Sequence, residues 1–457
     1  MRVDAPTKAG RGQTLGSQSK HNPSPAFPHV ENASARPLDM IIIILYAKGT
    51  IMTDNTIADP AIGLSSPRAS VVQVAVLAAL ASTGTLATNI LLPSLPQMAR
   101  SLDVSTATVT SSITVFLAAF AIGQLAVGPL SDRYGRFLPV IAGFIVFIAG
   151  SIWCGLASDL PNLLLGRIVQ AFGACATSVL SRAIARDLFS GEALAQTLAL
   201  IMIAMAAAPG FSPLLGSALD HYFGWRSEFA FVAIFAAVAA MAYAAQLGET
   251  HRGIRTPLAP RSIANTYLQL TIDRRFLIPA ATVSLILGGL FAMFSAAPRI
   301  LIEALQFSPI GLGIFFAGTV IIVFAAGVIA TRLAARFGLQ GPIQAGLLLT
   351  ATGSIALLLV GISHGGFLPF LGSMSIYLLG MGIVNPLGTA QALSPFGTNA
   401  GAASALLGFW QMLGAAFGVW MAATIFSDAM IALGVVLAIG STLALILYQL
   451  RGRAPAA

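Results

Sequence analysis

Arg167 is the residue that most needs a reason. It lies in LPNLLLGRIVQAFGACATSVL, residues 160–180, where every neighbour is apolar, small or uncharged. A guanidinium carries five N–H donors in a planar fork and stays charged at any physiological pH. In an apolar run it can engage a planar or anionic partner through that fork, or stretch its stem towards water. Gln170 follows three residues later, on the same helix face, and offers both a donor and an acceptor. Asn89, Gln124, Asn385, Trp410 and Gln411 interrupt other apolar runs in the same way. Together with Arg167 and Gln170 they form the candidate polar lining of a cavity, although an isolated polar residue in such a run often only bridges helices.

The carboxylates are distributed differently. Asp103, Asp159, Asp220, Glu228, Glu303 and Asp428 fall at one set of run ends, and Asp132, Asp187, Glu192, Glu249 and Asp273 at the other. No acid and no histidine falls deep inside a run. Proton movement through a membrane ordinarily needs a titratable group in the pathway, which leaves Glu228, Glu303 and Asp428 as candidates. There is no HExxH pair and no GxxxxGK[ST] loop, so neither a metal hydrolase nor an ATP-driven pump is expected. No metal, no other cofactor and no enzymatic activity is expected.

The elements that must position these residues follow from composition. Charged residues make up 9% of the 457, against roughly 25% in a soluble domain. Hydrophobic residues make up 57%, and mean hydropathy is +0.86. Such a chain cannot cover one core with a polar surface, so lipid must be its surroundings. The net charge of +8 is spread singly between apolar runs, which excludes a nucleic-acid groove. Cys154 and Cys175 lie within the runs as packing residues.

Residues 1–69 are rich in Pro, Ser, Asn and His and hold all three lysines, so disorder is expected there. The run Met40–Ala47 is too short to cross a bilayer, and Met52 offers an alternative start. Beyond it, twelve spans are expected at 70–92, 107–130, 137–157, 161–186, 193–219, 226–247, 276–299, 309–331, 342–362, 366–390, 401–425 and 428–450. The longest polar break, 249–275, divides them into six-helix halves at 70–248 and 276–450, with a tail at 451–457. The fold class is thus all-α integral membrane, twelve transmembrane helices in two six-helix bundles. With the N-terminus in the cytoplasm, the outer side receives only Arg100, Arg226 and Arg299. Every other arginine beyond residue 70, Arg167 aside, falls inside. Both termini are then cytoplasmic. A faint repeat supports the division: LPSLPQMARSLDVS resembles APRILIEALQFSP, and GPLSDRYGR resembles TRLAARFG.

The loop GPLSDRYGR, residues 128–136, carries the sharpest motif. Gly128 is expected to permit close helix approach and Gly135 a tight reversal. Asp132 would face a helix N-terminus near Thr398 and Asn399, and Arg133 and Arg136 would pair with acids, Arg136 with Asp187. This loop resembles the signature of the major facilitator superfamily. LLLGRIVQAFGA is similar to its span-4 motif. AAPGFSPLLGS, with Pro209, Pro213 and Gly216, resembles the exporters' span-5 motif, with Ser212 and Ser217 in place of glycines. Residues 385–412, TNILLPSLP and FSAAPRI resemble the bicyclomycin/chloramphenicol-resistance (Bcr/CflA) drug-efflux family.

The resemblance implies a monomeric exporter of small molecules in a bacterial inner membrane. It would work by alternating access, with protons as the counter-substrate. Asn89 stands where that family commonly has an acid. An uncoupled carrier, or an uptake carrier for a small neutral or anionic metabolite, is the alternative. Arg167 keeps two readings. It lies roughly 9 Å inside its span at helical rise, so it reaches either the outer headgroups or the cavity. Phe116, Phe120, Phe291, Phe294, Phe315, Phe316, Met202 and Met205 could line that cavity. Because residues 1–51 cannot support a packed core, their deletion is expected to leave membrane insertion and transport intact. Loss of either, measured by membrane fractionation and vesicle flux, would make the extension a working part.

Overall fold

The computed structural model describes residues 70–251 and 260–451. The disorder expected over 1–69 lies outside the described residues. Among the described residues, twelve helices are long and apolar enough to cross a membrane. They are α1 Val71–Ser101, α2 Thr106–Tyr134, α3 Phe137–Leu156, α4 Leu160–Leu188, α5 Gly191–Phe223 and α6 Arg226–Gln246. The second half holds α7 Arg274–Ala304, α8 Pro309–Phe337, α9 Gln340–Ile362, α10 Phe367–Phe396, α11 Gly401–Thr424 and α12 Ala429–Leu450. In hydrocarbon only a helix satisfies its own N–H and C=O groups, so each apolar run takes that form. Several of the acids at run ends are helix caps. Asp159 accepts from Asn162 N at 2.8 Å, Asp273 from Arg275 N at 2.8 Å, and Asp428 from Met430 N and Ile431 N at 2.8 and 2.9 Å.

The repeat has a structural counterpart. The Leu92–Ser94 turn interrupts α1, and the π-helical segment Pro298–Ala304 ends α7. Asp103 (φ +53°) and Gln306 (φ +57°) then take left-handed backbone. Two residues later Ser105 and Ser308 cap α2 and α8. Gly135 and Gly338 end those two helices in the same region, with φ +87° and ψ 179°, and φ +72° and ψ −172°. The left-handed residues, the serine caps and the glycines are each separated from their counterparts by the same number of residues. Contacts between the halves obey the same exchange, since α2 packs on α11 and α8 on α5. Within the halves α3 lies close to α4, and α9 to α10. Gly150 faces the Gln170 backbone, and Gly353 the Tyr377 backbone.

The break between the halves is more ordered than a loop. Residues Pro260–Ile272 form a helix, with Leu270 buried beside Phe276 and the Tyr267 hydroxyl donating to Leu125 O at 3.0 Å. Its apolar residues sit between polar flanks, so in sequence the segment reads as part of the polar break.

The corner between α2 and α3 is built around Arg136. Its Nε donates to Asp187 at 2.9 Å, and its Nη1 to Asp132 at 2.8 Å and to Ser131 Oγ at 2.6 Å. Burial lowers the affinity of this guanidinium for its proton, but the two carboxylates outweigh that and raise it. Arg133 instead stacks on Tyr134 at 5.6 Å. The expected dock of Asp132 near Thr398 and Asn399 falls on side chains outside those described. Gly128 does not mediate a close approach, because a Cβ there would meet nothing within 4 Å. Its carbonyl accepts from Ser131 Oγ at 2.9 Å instead.

Glu249, not singled out in the sequence, completes the corner. Its carboxylate accepts from the backbone N–H of Arg136 (2.9 Å), Phe137 (3.2 Å) and His251 (2.8 Å). Burial raises its proton affinity, but these backbone bonds prevail and hold the carboxyl below its usual range. A Cβ at Gly135 would collide with that carboxylate. Gly135→Ala therefore meets two penalties, the backbone strain of a glycine-only region, about 1–3 kcal/mol, and the clash. Gly338→Ala meets only the first, since nothing lies within 4 Å of its Cβ. Thermal unfolding in detergent should show both variants destabilised and Gly135→Ala more so; equal losses would mean that Glu249 simply moves aside.

Candidate functional site

Arg167 is fully buried, so it does not reach the headgroups. Four helices close around it. Nη1 donates to Ala87 O of α1 at 3.2 Å and to Gln170 Oε1 on its own helix, and Nε to Ser112 O of α2 at 3.4 Å. The guanidinium lies over the Phe116 ring, 4.1 Å from its centroid. Gln170 passes the chain on, its Nε2 donating to Ser151 Oγ of α3 at 2.8 Å and that hydroxyl to Phe147 O at 2.7 Å. No carboxylate takes part, so carbonyl dipoles and one aromatic face balance the charge. Nη2 has no partner at all. Asn89 is buried on α1 but turns its amide back to Thr85 O at 2.7 Å, leaving Oδ1 unpartnered. Asn89 therefore takes no part in holding Arg167, whose partners are the carbonyls of Ala87 and Ser112 and the Gln170 amide.

The remaining polar candidates divide between halves. Gln124 is buried where α2 meets α11, so close to Gly408 that a Cβ there would strike its amide. Asn385 is half-buried on α10 with Oδ1 unpartnered. Trp410 is half-buried on α11, edge-on to Phe409 at 6.0 Å, and its indole N–H has no partner. Gln411 beside it is half-buried. Gln391 on α10 was missed: it is buried with Oε1 unpartnered. An amide in TAQAL carried the same signal as Asn385 and could have been read the same way.

Among the apolar candidates, Phe116, Phe294, Phe315 and Phe316 are buried in the packed core. Met202 on α5 is 64% exposed and is not part of that core. The α5 motif holds Pro209 and Pro213 within one continuous helix. Gly216 meets the Ile90 carbonyl of α1, and Gly210 faces Ala317 and Val320 of α8. This stretch thus packs α5 against both halves.

The three acids left as proton candidates separate clearly. Asp428 is exposed and occupied as a cap, while Glu303 is exposed and accepts from Thr106 Oγ1 at 2.7 Å across the halves. Glu228 is 0% exposed despite sitting in the first turn of α6. Its Oε1 accepts from Ser94 Oγ, and its Oε2 has no partner. Position near a helix end suggested solvent; packing against the interrupted part of α1 removes it.

Comparison with known proteins places this geometry. The sequence profile of the Major Facilitator Superfamily matches residues 77–419. The MFS-type transporter YdgK of Bacillus subtilis is 32% identical over 340 residues, 74% of this chain and 85% of the relative. A bicyclomycin resistance protein homolog of Haemophilus influenzae is 28% identical over 318 residues, 69% of this chain and 80% of the relative. Among solved structures, a bacterial homolog of the human lysosomal transporter Spinster, inward-facing and unoccupied, superposes with a TM-score of 0.67. That match has 15% identity and covers 85% of this chain and 100% of the other, so it speaks for the fold alone. Twelve spans in two related six-helix halves, joined by these motifs, are the build of a membrane transporter, and the chain belongs to the Major Facilitator Superfamily.

Proposed function

We propose that this protein exports small neutral or weakly charged amphipathic compounds across a bacterial inner membrane. It does so by alternating access of its two halves, with inward proton flow as the driving force. Arginine asymmetry supports an orientation with both termini in the cytoplasm, which makes the Arg136 corner cytoplasmic and the Glu303 end external. The relative named for bicyclomycin resistance supports export of drugs, and it brings no substrate of its own to this chain.

One observation carries the assignment of the substrate path. Buried polar atoms without partners recur on helices of both halves: Asn89 Oδ1 on α1, Arg167 Nη2 on α4, Asn385 Oδ1 on α10 and Trp410 Nε1 on α11. A native interior leaves few such groups, because each costs about 1–3 kcal/mol. Groups that a moving solute satisfies in passing are the exception a transporter needs. Asn89, Gln124, Arg167, Gln170, Asn385, Trp410 and Gln411 are the proposed lining. Asp132, Arg136 and Asp187, with Gly135, form the proposed cytoplasmic latch, and Arg133 is its exposed neighbour. The lining's one full charge is positive, which disfavours cations and suits neutral or anionic solutes. An uncoupled carrier is the second reading, favoured by Asn89, which cannot titrate.

Two variants test the lining. Arg167→Ala should slow transport by about 10- to 100-fold, the loss of one charge-assisted bond, with normal insertion. Arg167→Lys should restore only part of the rate, because an ammonium lacks the fork that reaches α1, α2 and Gln170 together. Everted vesicles loaded by uptake of bicyclomycin or chloramphenicol give the measurement; full rescue by lysine would reduce Arg167 to a structural charge. Asn89→Asp should shift preference towards the cationic dye ethidium and add a pH-dependent step. If neither substrate preference nor pH profile moves, Asn89 does not line the path.

A further inference from the structure

Glu228 has no part in the lining just described, yet its surroundings are built. Three elements meet at its carboxyl group. From α1 comes the Leu92–Ser94 turn, whose fully buried Ser94 donates to Oε1. From the end of α5 comes Asp220, a second carboxylate beside the same serine. With its amide turned to donate, Gln97 holds both Asp220 oxygens at 3.1 and 2.8 Å. Arg100 and His221 lie beside Asp220 rather than beside Glu228. On its own helix, Arg226 turns away, stacking on Trp225 at 4.2 Å and donating to Ala157 O of α3 at 2.9 Å. Glu228 therefore faces a hydroxyl, with the Asp220 carboxylate near and Oε2 unpartnered, and it makes no ion pair among the described residues. An ionised carboxylate closed in this way is a costly state, and a protonated one is not.

The same turn belongs to the contact between the halves. Leu92–Ser94 packs against α5 and against α8 of the other half, and the following segment of α1 packs against Pro298–Ala304. Thr106 and Glu303 join the halves at this end. The second half thus presses on the turn that covers Glu228.

We propose that Glu228 is a proton-binding site: closing the external end of the transporter takes up one proton from the outer solution onto its carboxylate, and opening that end to alkaline solution releases it. The bookkeeping is one proton moving between external water and a carboxylate oxygen, with no other reactant. The site deepens the antiport reading proposed above, since it names the group that meets the external proton, and it rests on that reading for its direction.

The test uses the full-length protein in liposomes, with spin labels at Ser101→Cys and Ile310→Cys, exposed positions on either half at the external end. Raising pH from about 5 to 9, across the range a buried carboxyl covers, should move the label distance from a short to a long population. Glu228→Gln should stay short throughout, and Glu228→Asp should keep a pH response. Ser94→Ala removes a bond to the ionised form, so its opening midpoint should rise above that of the parent. In infrared difference spectra the carbonyl band of a dry protonated carboxyl should be present in the parent and absent from Glu228→Gln. A Glu228→Gln variant that opens with pH as the parent does would overturn the proposal, as would an unchanged infrared band. A parent that switches with pH but does not accumulate chloramphenicol or ethidium on an imposed proton gradient would overturn antiport and leave this site standing.

Discussion

Lipid offers no hydrogen bonds, and every other feature of this protein answers to that constraint. Backbone groups are satisfied within helices, which fixes the architecture before any side chain is considered. Side-chain hydroxyls follow the same rule: Ser151, Thr177, Ser284, Thr350 and Ser441 all return a hydrogen bond to a carbonyl one turn back. Arg167 is the severe case. It is held by Ala87, Ser112 and Gln170 over the Phe116 ring, so a single cation ties α1 and α2 to α4, and through Gln170 and Ser151 ties in α3. A core of this kind is specified by a few polar contacts rather than by apolar burial, since lipid tails are as apolar as the helices they surround.

Much of this was legible in the sequence because the period of apolar runs is a strong signal. The twelve spans fall within a few residues of their expected places, except where helices run on past the apolar segment, as α1 does to Ser101 and α8 to Phe337. The pairing of Arg136 with Asp187 was also readable, because both sit in loops that the spans bring to one end. What escaped depends on packing that no linear pattern records. Glu249 reaches Gly135 from the end of α6, and Gly128 looks like a packing glycine while facing open space. Glu228 and Glu303 occupy similar positions in sequence, each close to a span end. One is sealed and the other exposed, because the Leu92–Ser94 turn covers only the first.

The near-symmetry of the halves shows which parts are general and which are particular. Backbone features recur: the left-handed residues Asp103 and Gln306, the serine caps, and the glycines Gly135 and Gly338. Arg133 recurs as Arg336, each over the ring of the aromatic residue that follows it, but the ion-paired charges do not recur. The corner after α2 has Asp132 and Arg136, while the matching corner after α8 has Ala335 and Leu339. Geometry was thus retained in both halves while the ion pairs of the corner remain in one. A rocking pair needs matched shapes to open and close, but one charged corner is enough to bias the balance between states.

Charge placement also constrains how a solute and a proton could be linked. Where an acid and an arginine share a cavity, a solute and a proton can compete for one site. Asn89 removes that arrangement here, leaving Arg167 in the interior with carbonyl partners and Glu228 on α6, sealed under the Leu92–Ser94 turn of α1. The two still share a support. Ala87, which accepts from Arg167, and Ser94, which donates to Glu228, lie within two helical turns of each other on α1. Between them Ile90 meets Gly216 of the α5 motif. A shift of this stretch would alter the polar cage around Arg167 and the seal over Glu228 together. On the proposed reading, coupling then runs through the position of α1 rather than through competition at one carboxylate. Solute charge and proton uptake would consequently be separable properties of the transporter.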